Sequence, residues 1–185
     1  MDYAASRFAV QGFHPTSVAE ITEGLGVGKG VFYWYFGSKD ELLLEILRDA
    51  HTELRRTQQR AIDGVDDPVQ RIEAGIRATL GWFDEHRHLF TLFQFAATSE
   101  RFAPSMRTGQ QVAVADTVRH VKEAMAEGRI AHGDPELLAH AMIGVIGEVV
   151  RTFVHHRDQD AGEVSDAAVR FCLHGLLGRD QFRAW

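Results

Sequence analysis

Apolar residues recur every three or four positions along most of this chain, which is the spacing of one face of an α-helix. Two of the clearest stretches run through Leu42, Leu43, Ile46, Leu47 and Ala50, and through Ile72, Ile76, Leu80 and Phe83. The alternation of polar and apolar residues that is typical of strands is absent, and so are hairpin turn dipeptides. The pattern therefore predicts an all-α protein of about nine helices.

Start signals divide this pattern into separate helices. A serine followed three residues later by a glutamate is typical of a helix N-terminus, and so is an aspartate directly before a proline. These signals are Ser17 with Glu20, Ser38 with Glu41, Asp67 with Pro68, and Asp134 with Pro135. They predict one long helix that continues to about Ile62 and an apolar helix that runs from Leu137 to about His155.

The composition is typical of a globular protein: 45% of the 185 residues are hydrophobic, 25% are charged, and there is one cysteine. No uninterrupted apolar run approaches the roughly 18 residues that a membrane helix needs, and we find no secretion signal. A lone Cys172 cannot form an internal disulfide, which suits a reducing compartment. We therefore expect a cytoplasmic protein without a membrane segment. Cys172 is expected to be packed, with redox sensing as the alternative.

The formal net charge is −6 at pH 7, from 20 basic and 26 acidic residues. This balance excludes a generally basic protein that coats nucleic acid. It does not exclude a small DNA-reading module on an acidic body, because local geometry can outweigh net charge.

The stretch from Thr16 to Lys39 has the proportions of a helix-turn-helix, in which two short helices meet at a tight glycine turn. In such a unit the second helix enters the major groove of DNA, where its first residues meet base edges. The predicted shared core consists of Ile21, Leu25, Val27, Phe32 and Phe36. The alternative is an ordinary helical hairpin in which Tyr33, Trp34 and Tyr35 are buried.

Residues outside that core supply chemistry that suits DNA. Lys29 suits a guanine or a phosphate, Gly30 permits close approach of the backbone, and Val31 suits a thymine methyl group. Polar groups for phosphates are offered by Tyr33, Tyr35 and Lys39.

Residues spread over the first quarter of the chain resemble the N-terminal domain of the TetR family of transcriptional regulators. They are Phe8, Gly12, Phe13, Thr16, Ser17, Val18, Ile21, Gly26, Val27, Lys29, Gly30, Tyr33, Tyr35, Phe36, Ser38 and Lys39. The resemblance implies a helix-turn-helix domain of three helices over residues 1–48 and a helical ligand-binding and dimerisation domain over residues 49–185. It also implies a homodimer, usually a repressor, that leaves a palindromic operator when a small molecule binds. The DNA-binding residues would be Thr16, Ser17, Lys29, Gly30, Val31, Tyr33, Trp34, Tyr35 and Lys39.

The chain departs from the family pattern in three ways. Gly28 stands where a serine often caps the recognition helix, and Trp34 with Tyr35 replaces a common Tyr-His pair. The first helix begins later than in relatives, which usually carry a basic arm. Residues 1–48 hold four basic and six acidic side chains. This predicts either a natural start further upstream or an unusually weak electrostatic contribution to DNA binding.

The candidates for an inducer site are aromatic. Trp82, Phe83, Phe90, Phe93, Phe95 and Phe102 are each expected either to pack the core or to line a cavity for a largely apolar inducer. Glu148 and Arg151 are three residues apart on a predicted helix and can form an ion pair. We expect this pair either to be solvated or to act as a polar anchor in that cavity. The predicted dimer interface consists of Gly144, Gly147, Val164, Ala168, Phe171 and Gly175.

Other chemistries find less support. The glycines around Lys29 match neither a phosphate loop nor a dinucleotide fingerprint, because the required spacing fails. The histidine pairs 86/88 and 155/156 lack the spacing of metal ligands on one helix face, so we expect no metal and no cofactor. The sequence thus predicts an inducer-released repressor rather than an enzyme. The alternative is a helical small-molecule-binding protein that has lost DNA binding.

Overall fold

The computed structural model describes residues 1–177, and this part of the chain folds into nine α-helices without a strand. The helices are α1 (Asp2–Gln11), α2 (Val18–Gly24), α3 (Lys29–Tyr35), α4 (Lys39–Ile62), α5 (Pro68–Glu85), α6 (Arg87–Thr98), α7 (Ala103–Ala126), α8 (Pro135–Val149) and α9 (Ala161–Leu177). The predicted all-α class and the predicted number of helices are confirmed.

The chain forms two compact units. The first contains Met1–Glu53 and His86–Gly109, and the second contains Leu54–Glu85 and the chain from Gln110 onward. The N-terminal helices α1 to α3 therefore share a unit with α6 and with the first half of α4. Each unit has its own buried apolar core.

The core of the first unit is centred on Phe13, which is 5% exposed. Its ring meets those of Phe8 and Phe102 edge to face, with centroids 5.2 Å apart in both pairs, and lies 5.5 Å from Phe95. Because Phe13 directly follows α1, this cluster ties the end of α1 to α6 and to the start of α7. Helix α1 packs chiefly on α6.

The core of the second unit is built on α5, which packs most extensively on α9 and also contacts α8. Ile72, Ile76 and Leu80 form the buried stripe of α5 that the sequence predicts. Asp67 caps this helix, since its Oδ1 accepts a hydrogen bond of 2.8 Å from the Val69 amide. Asp134 caps α8 in the same way, through the amides of Glu136 and Leu137.

The apolar helix predicted to continue to about His155 changes its winding part-way. Helix α8 ends at Val149, and Val150–His156 continue it as a π-helical segment. Within the described residues, Pro135–His156 is the one helical stretch that is long and apolar enough to cross a membrane. Only 28% of its 18 most apolar consecutive residues are buried in the protein. The prediction considered uninterrupted apolar runs and therefore missed this stretch, which Glu148 interrupts.

Candidate nucleic-acid interface

Helix α2 begins with the predicted capping box. The Ser17 amide donates to Glu20 Oε2 over 2.6 Å, and the Glu20 amide donates to Ser17 Oγ over 3.2 Å. The hydrogen bonds from the Ser17 amide and hydroxyl lower the pKa of Glu20 below its ordinary value of 4.5. Two backbone amides that the start of a helix leaves unpaired are satisfied in this way.

The turn between α2 and α3 is compact because glycines fit where other residues do not. Gly26 has φ of +67°, in the left-handed region that favours glycine, and the following Val27 amide donates to the Thr22 carbonyl over 2.9 Å. The ring of Tyr3 lies directly against Gly24, where a Cβ would overlap it. These contacts fix the angle at which the chain enters α3.

The predicted core of the helix-turn-helix is partly wrong. Ile21 and Phe32 are buried, and Phe36 is half-buried. Leu25 and Val27 are instead 51% and 40% exposed, because the turn directs them outward. The sequence pattern predicted both residues to be in the core. Nothing in the sequence shows whether an apolar side chain beside a turn glycine is buried or exposed.

Helix α3 presents almost its whole circumference to solvent. Of its seven residues only Phe32 is buried. Val31, Tyr33, Trp34 and Tyr35 are 48%, 56%, 78% and 67% exposed, and Lys29 and Gly30 are exposed as well. The alternative in which the three consecutive aromatic residues are buried is therefore wrong. Gly28 supplies no side-chain cap, so the first turn of α3 depends on the backbone alone.

Two predicted DNA-contact residues lie in a different environment. Thr16 is fully buried and its hydroxyl donates to the Gly12 carbonyl over 2.8 Å. The Lys39 ammonium donates to the carbonyls of Phe13, His14 and Thr16 at 2.7, 3.1 and 2.8 Å. It also lies 4.5 Å from the centre of the Phe13 ring. All three donors of Lys39 are thus used inside the protein, where they hold the loop between α1 and α2 against α4.

Few positive charges on the surface of the helix-turn-helix remain available for DNA phosphates. Arg48 pairs with Glu45 on its own helix, and Lys39 is occupied as described above. Lys29 is exposed and makes no ion pair or hydrogen bond within the described part of the chain. A short exposed helix, held at a fixed angle by a capped partner helix and a glycine turn, defines a helix-turn-helix DNA-binding protein.

Residues 1–46 match the family model described as bacterial regulatory proteins, tetR family. Together with the similarities below, this match indicates a transcriptional regulator of the TetR type. It is a DNA-binding transcriptional regulator.

Three similar proteins illustrate the match. The uncharacterized HTH-type transcriptional regulator YdgC of Bacillus subtilis is 26% identical over 183 residues, which cover 94% of this chain and 89% of YdgC. The HTH-type transcriptional repressor KstR2 of Mycobacterium tuberculosis is 28% identical over 94 residues, which span 51% of this chain and 47% of KstR2. The fatty acid degradation regulator FadR of Bacillus halodurans shares the fold, with a TM-score of 0.87 and 18% identity over 96% of this chain and 94% of that one.

The predicted ligand residues are divided between the two units. Phe90, Phe93 and Phe102 lie in the first unit, where Phe93 stacks on His51 with ring centres 4.5 Å apart. Trp82 and Phe83 lie in the second unit, and all five rings are buried. Arg151 forms an ion pair of 2.6 Å with Glu148, and its side chain is 43% exposed. This hydrogen bond from Arg151 lowers the pKa of Glu148.

A polar cavity of about 310 Å³ in the second unit was not predicted. It lies where the end of α4, the loop before α5 and the middle of α7 meet, and its lining includes Arg71, Arg119 and His120. Arg71 pairs with Glu123 at 2.9 Å, and burial lowers the pKa of His120. Sequence reasoning had no signal for it, because its lining combines residues 59–71 with two residues of α7 that are distant in the chain, and they form no motif. Within residues 1–177, no three His, Cys, Asp or Glu side chains cluster as metal ligands would.

The stripe of α9 predicted to face a partner is divided. Val164 and Ala168 are buried inside the protomer, so their side chains are not free for a partner. Phe171 is 67% exposed, and Gly175 and Gly144 are exposed as well, while Gly147 is half-buried. The reason is the angle of α9 on α5, which the spacing of residues along one helix does not reveal.

Proposed function

We propose that the protein is a homodimeric transcriptional repressor that leaves a palindromic operator when a small molecule binds, and that it acts in the cytoplasm. The exposed helix α3 is the observation that supports this proposal most directly. A helix with one buried side chain and six exposed residues gains stability when a second surface covers it. The major groove of DNA has the width to accept such a helix.

The DNA-binding residues divide into two groups in this proposal. Ser17, Lys29, Gly30, Val31, Tyr33, Trp34 and Tyr35 are exposed and face DNA. Thr16 and Lys39 act indirectly, because their polar groups hold the loop between α1 and α2 in position instead of contacting DNA. A direct phosphate contact from Lys39 would require its ammonium to give up a carbonyl of that loop.

We propose that a second copy of the chain covers the exposed apolar faces of α8 and α9. Leu137 on α8 is 65% exposed, and Phe171 on α9 is 67% exposed. Gly144 and Gly175 lack side chains at exposed positions of the same two helices, which permits close approach of another helix. A dimer is also the usual way to reach useful affinity, because a single recognition helix contacts few base pairs.

The proposed effector is a largely apolar small molecule. Two similar proteins are named as a ketosteroid transcriptional regulator and as a fatty acid degradation regulator, and ketosteroids and fatty acids are largely apolar molecules. Aromatic side chains buried in both units offer surfaces for such a ligand, namely Trp82, Phe83, Phe90, Phe93 and Phe102. For release to occur, the effector must bind the DNA-free conformation more tightly than the DNA-bound one.

The test is a selection of bound duplexes from a randomised DNA pool at two salt concentrations, with the oligomeric state measured by light scattering. We expect a palindrome with two half-sites about 34 Å apart. Among residues 1–48, Lys29 and the half-buried Arg7 are the cations left for phosphates, so the slope of log K against log salt from this segment should be no steeper than about −4 for the dimer. A folded protein that enriches no duplex would instead support a ligand-binding protein without DNA binding.

A further inference from the structure

The surface around α3 is unusually apolar for its position. Within the described part of the chain eleven large hydrophobic residues are exposed, and six of them fall between residues 25 and 35. These six are Leu25, Val27, Val31, Tyr33, Trp34 and Tyr35. The segment of residues 25–35 contains one cation, Lys29, and no anion. An exposed apolar patch of this density marks a binding surface.

Two glycines in this surface leave open space beside the backbone. Gly28 and Gly30 have ordinary negative φ angles, and a Cβ at either position would meet nothing within 4 Å. Gly30 lies inside α3, where glycine is less favourable than alanine. The missing side chains leave room for another surface to approach the backbone between Val27 and Val31.

Base recognition by hydrogen bonds needs donors and acceptors, which the side chains of Leu25, Val27 and Val31 lack. Lys29 is the single charged group. In the major groove the one apolar feature of the bases is the C5 methyl group of thymine. An apolar surface that approaches closely gains most free energy by covering such methyl groups.

We propose that this protein reads its operator chiefly through thymine methyl groups, with Val27 and Val31 as the specificity-determining residues and Gly30 allowing the close approach. The inference rests on the proposed function, in which α3 enters the major groove. It adds the chemistry of the preferred half-site: thymines at the positions that meet Val27 and Val31.

The experiment starts from the duplex enriched in the selection described above. Each thymine is replaced in turn by deoxyuridine, which removes the C5 methyl group and keeps every hydrogen-bonding group of the base pair. We expect the affinity to fall about fourfold for each covered methyl group, and about sixteenfold when both half-sites carry the change.

Valine variants identify the residues that cover the methyl groups. Val31→Ala and Val27→Ala should weaken binding to the thymine duplex by several-fold and should change little further on the deoxyuridine duplex. Val112→Ala is the matched control, because Val112 is 39% exposed, close to the 40% of Val27, and lies in the other unit. Gly30→Ala should raise the thermal stability of the protein and still lower its affinity for DNA.

The outcomes separate this inference from the proposed function. A duplex that is enriched but binds equally well with deoxyuridine at every position overturns the methyl-reading mechanism and leaves the regulator intact. Valine variants that lose the same affinity on both duplexes also overturn it. If no duplex is enriched by the folded dimer, the proposed function fails, and this inference fails with it.

Discussion

Lys39 holds the irregular loop between α1 and α2 through its single side chain. Its ammonium accepts no bonds and donates to three carbonyls, of Phe13, His14 and Thr16, that follow the end of α1. Those carbonyls lie beyond the regular helix and would otherwise depend on water. A single charged group thus connects α4 to the loop that leads into the helix-turn-helix.

Replacing this lysine should destabilise the fold. We expect Lys39→Met to lower the free energy of unfolding by about 2 kcal/mol, because charge-assisted hydrogen bonds to partly buried carbonyls are lost. Urea denaturation measures the change. Lys29→Met is the matched control: it should leave stability within about 0.5 kcal/mol and weaken DNA binding. A Lys39→Met variant as stable as the wild type would show that the carbonyls are equally well hydrated by water.

Gly24 gives a second prediction at this scale. A Cβ on Gly24 would overlap the Tyr3 ring, so Gly24→Ala must displace Tyr3 from α2. We expect a loss of about 1–2 kcal/mol of stability, measured by urea denaturation. In the background Tyr3→Ala the same substitution should cost little, because the obstructing ring is gone. Equal losses in both backgrounds would contradict the contact.

At the scale of the element, α2 and α3 obtain their stability differently. Helix α2 has a complete capping box and buries Ile21 and Thr22. Helix α3 has the same length, a glycine cap without a side-chain bond and one buried residue, Phe32. Helices this short are marginal by themselves. The recognition helix is therefore the less stable of the two until a second surface covers it.

The capping box makes the stability of α2 depend on pH. The pKa of Glu20 is lowered in the folded protein, so its carboxylate contributes stability above its unfolded pKa, and this contribution is lost as the pH falls through the lower folded value. Glu20→Gln should therefore be less stable than the wild type at pH 7, and the two should converge at acidic pH, once the carboxyl is protonated in the folded protein as well. Urea midpoints across this range provide the test. Glu23→Gln lies on the same helix but outside the capping box, so the difference between its stability and that of the wild type should not depend on pH in this way.

At the scale of the whole molecule, charge and apolar surface are distributed unevenly. The chain carries a net charge of −6, yet the segment between residues 25 and 35 that we propose to read DNA is free of acidic residues. Of the other large exposed apolar residues, Leu137 and Phe171 lie on α8 and α9. The two functions that we propose, DNA binding and dimerisation, thus fall on surfaces of an acidic protein that expose large apolar side chains.

A charge at Phe171 should separate the proposed dimer. We expect Phe171→Glu to raise the dimer dissociation constant at least a hundredfold, because both protomers lose a buried aromatic side chain and gain a carboxylate. Light scattering against concentration measures this, and operator affinity should fall in parallel. Val10→Glu alters a side chain that is 81% exposed in the first unit and should leave the dimer intact. A dimer unaffected by Phe171→Glu would place the interface elsewhere.

Local signals in the sequence determined the helices, their caps and the family. The period of apolar residues, the Ser-Glu and Asp-Pro starts and the glycine turn act over a few residues, and the structure confirms the all-α fold that they predict. The helix-turn-helix was recognisable for the same reason, since its function depends on a short continuous segment.

Tertiary packing decided which side chains are buried and which partners they contact. Leu25, Val27 and Phe32 are equally apolar in sequence, but only the angle between α2 and α3 buries Phe32 and exposes the two others. Lys39 reaches carbonyls more than twenty residues earlier, and the polar cavity joins Arg71 to Arg119. Burial and partners depend on how helices are oriented against each other, and that orientation arises from contacts between residues that are distant in the chain.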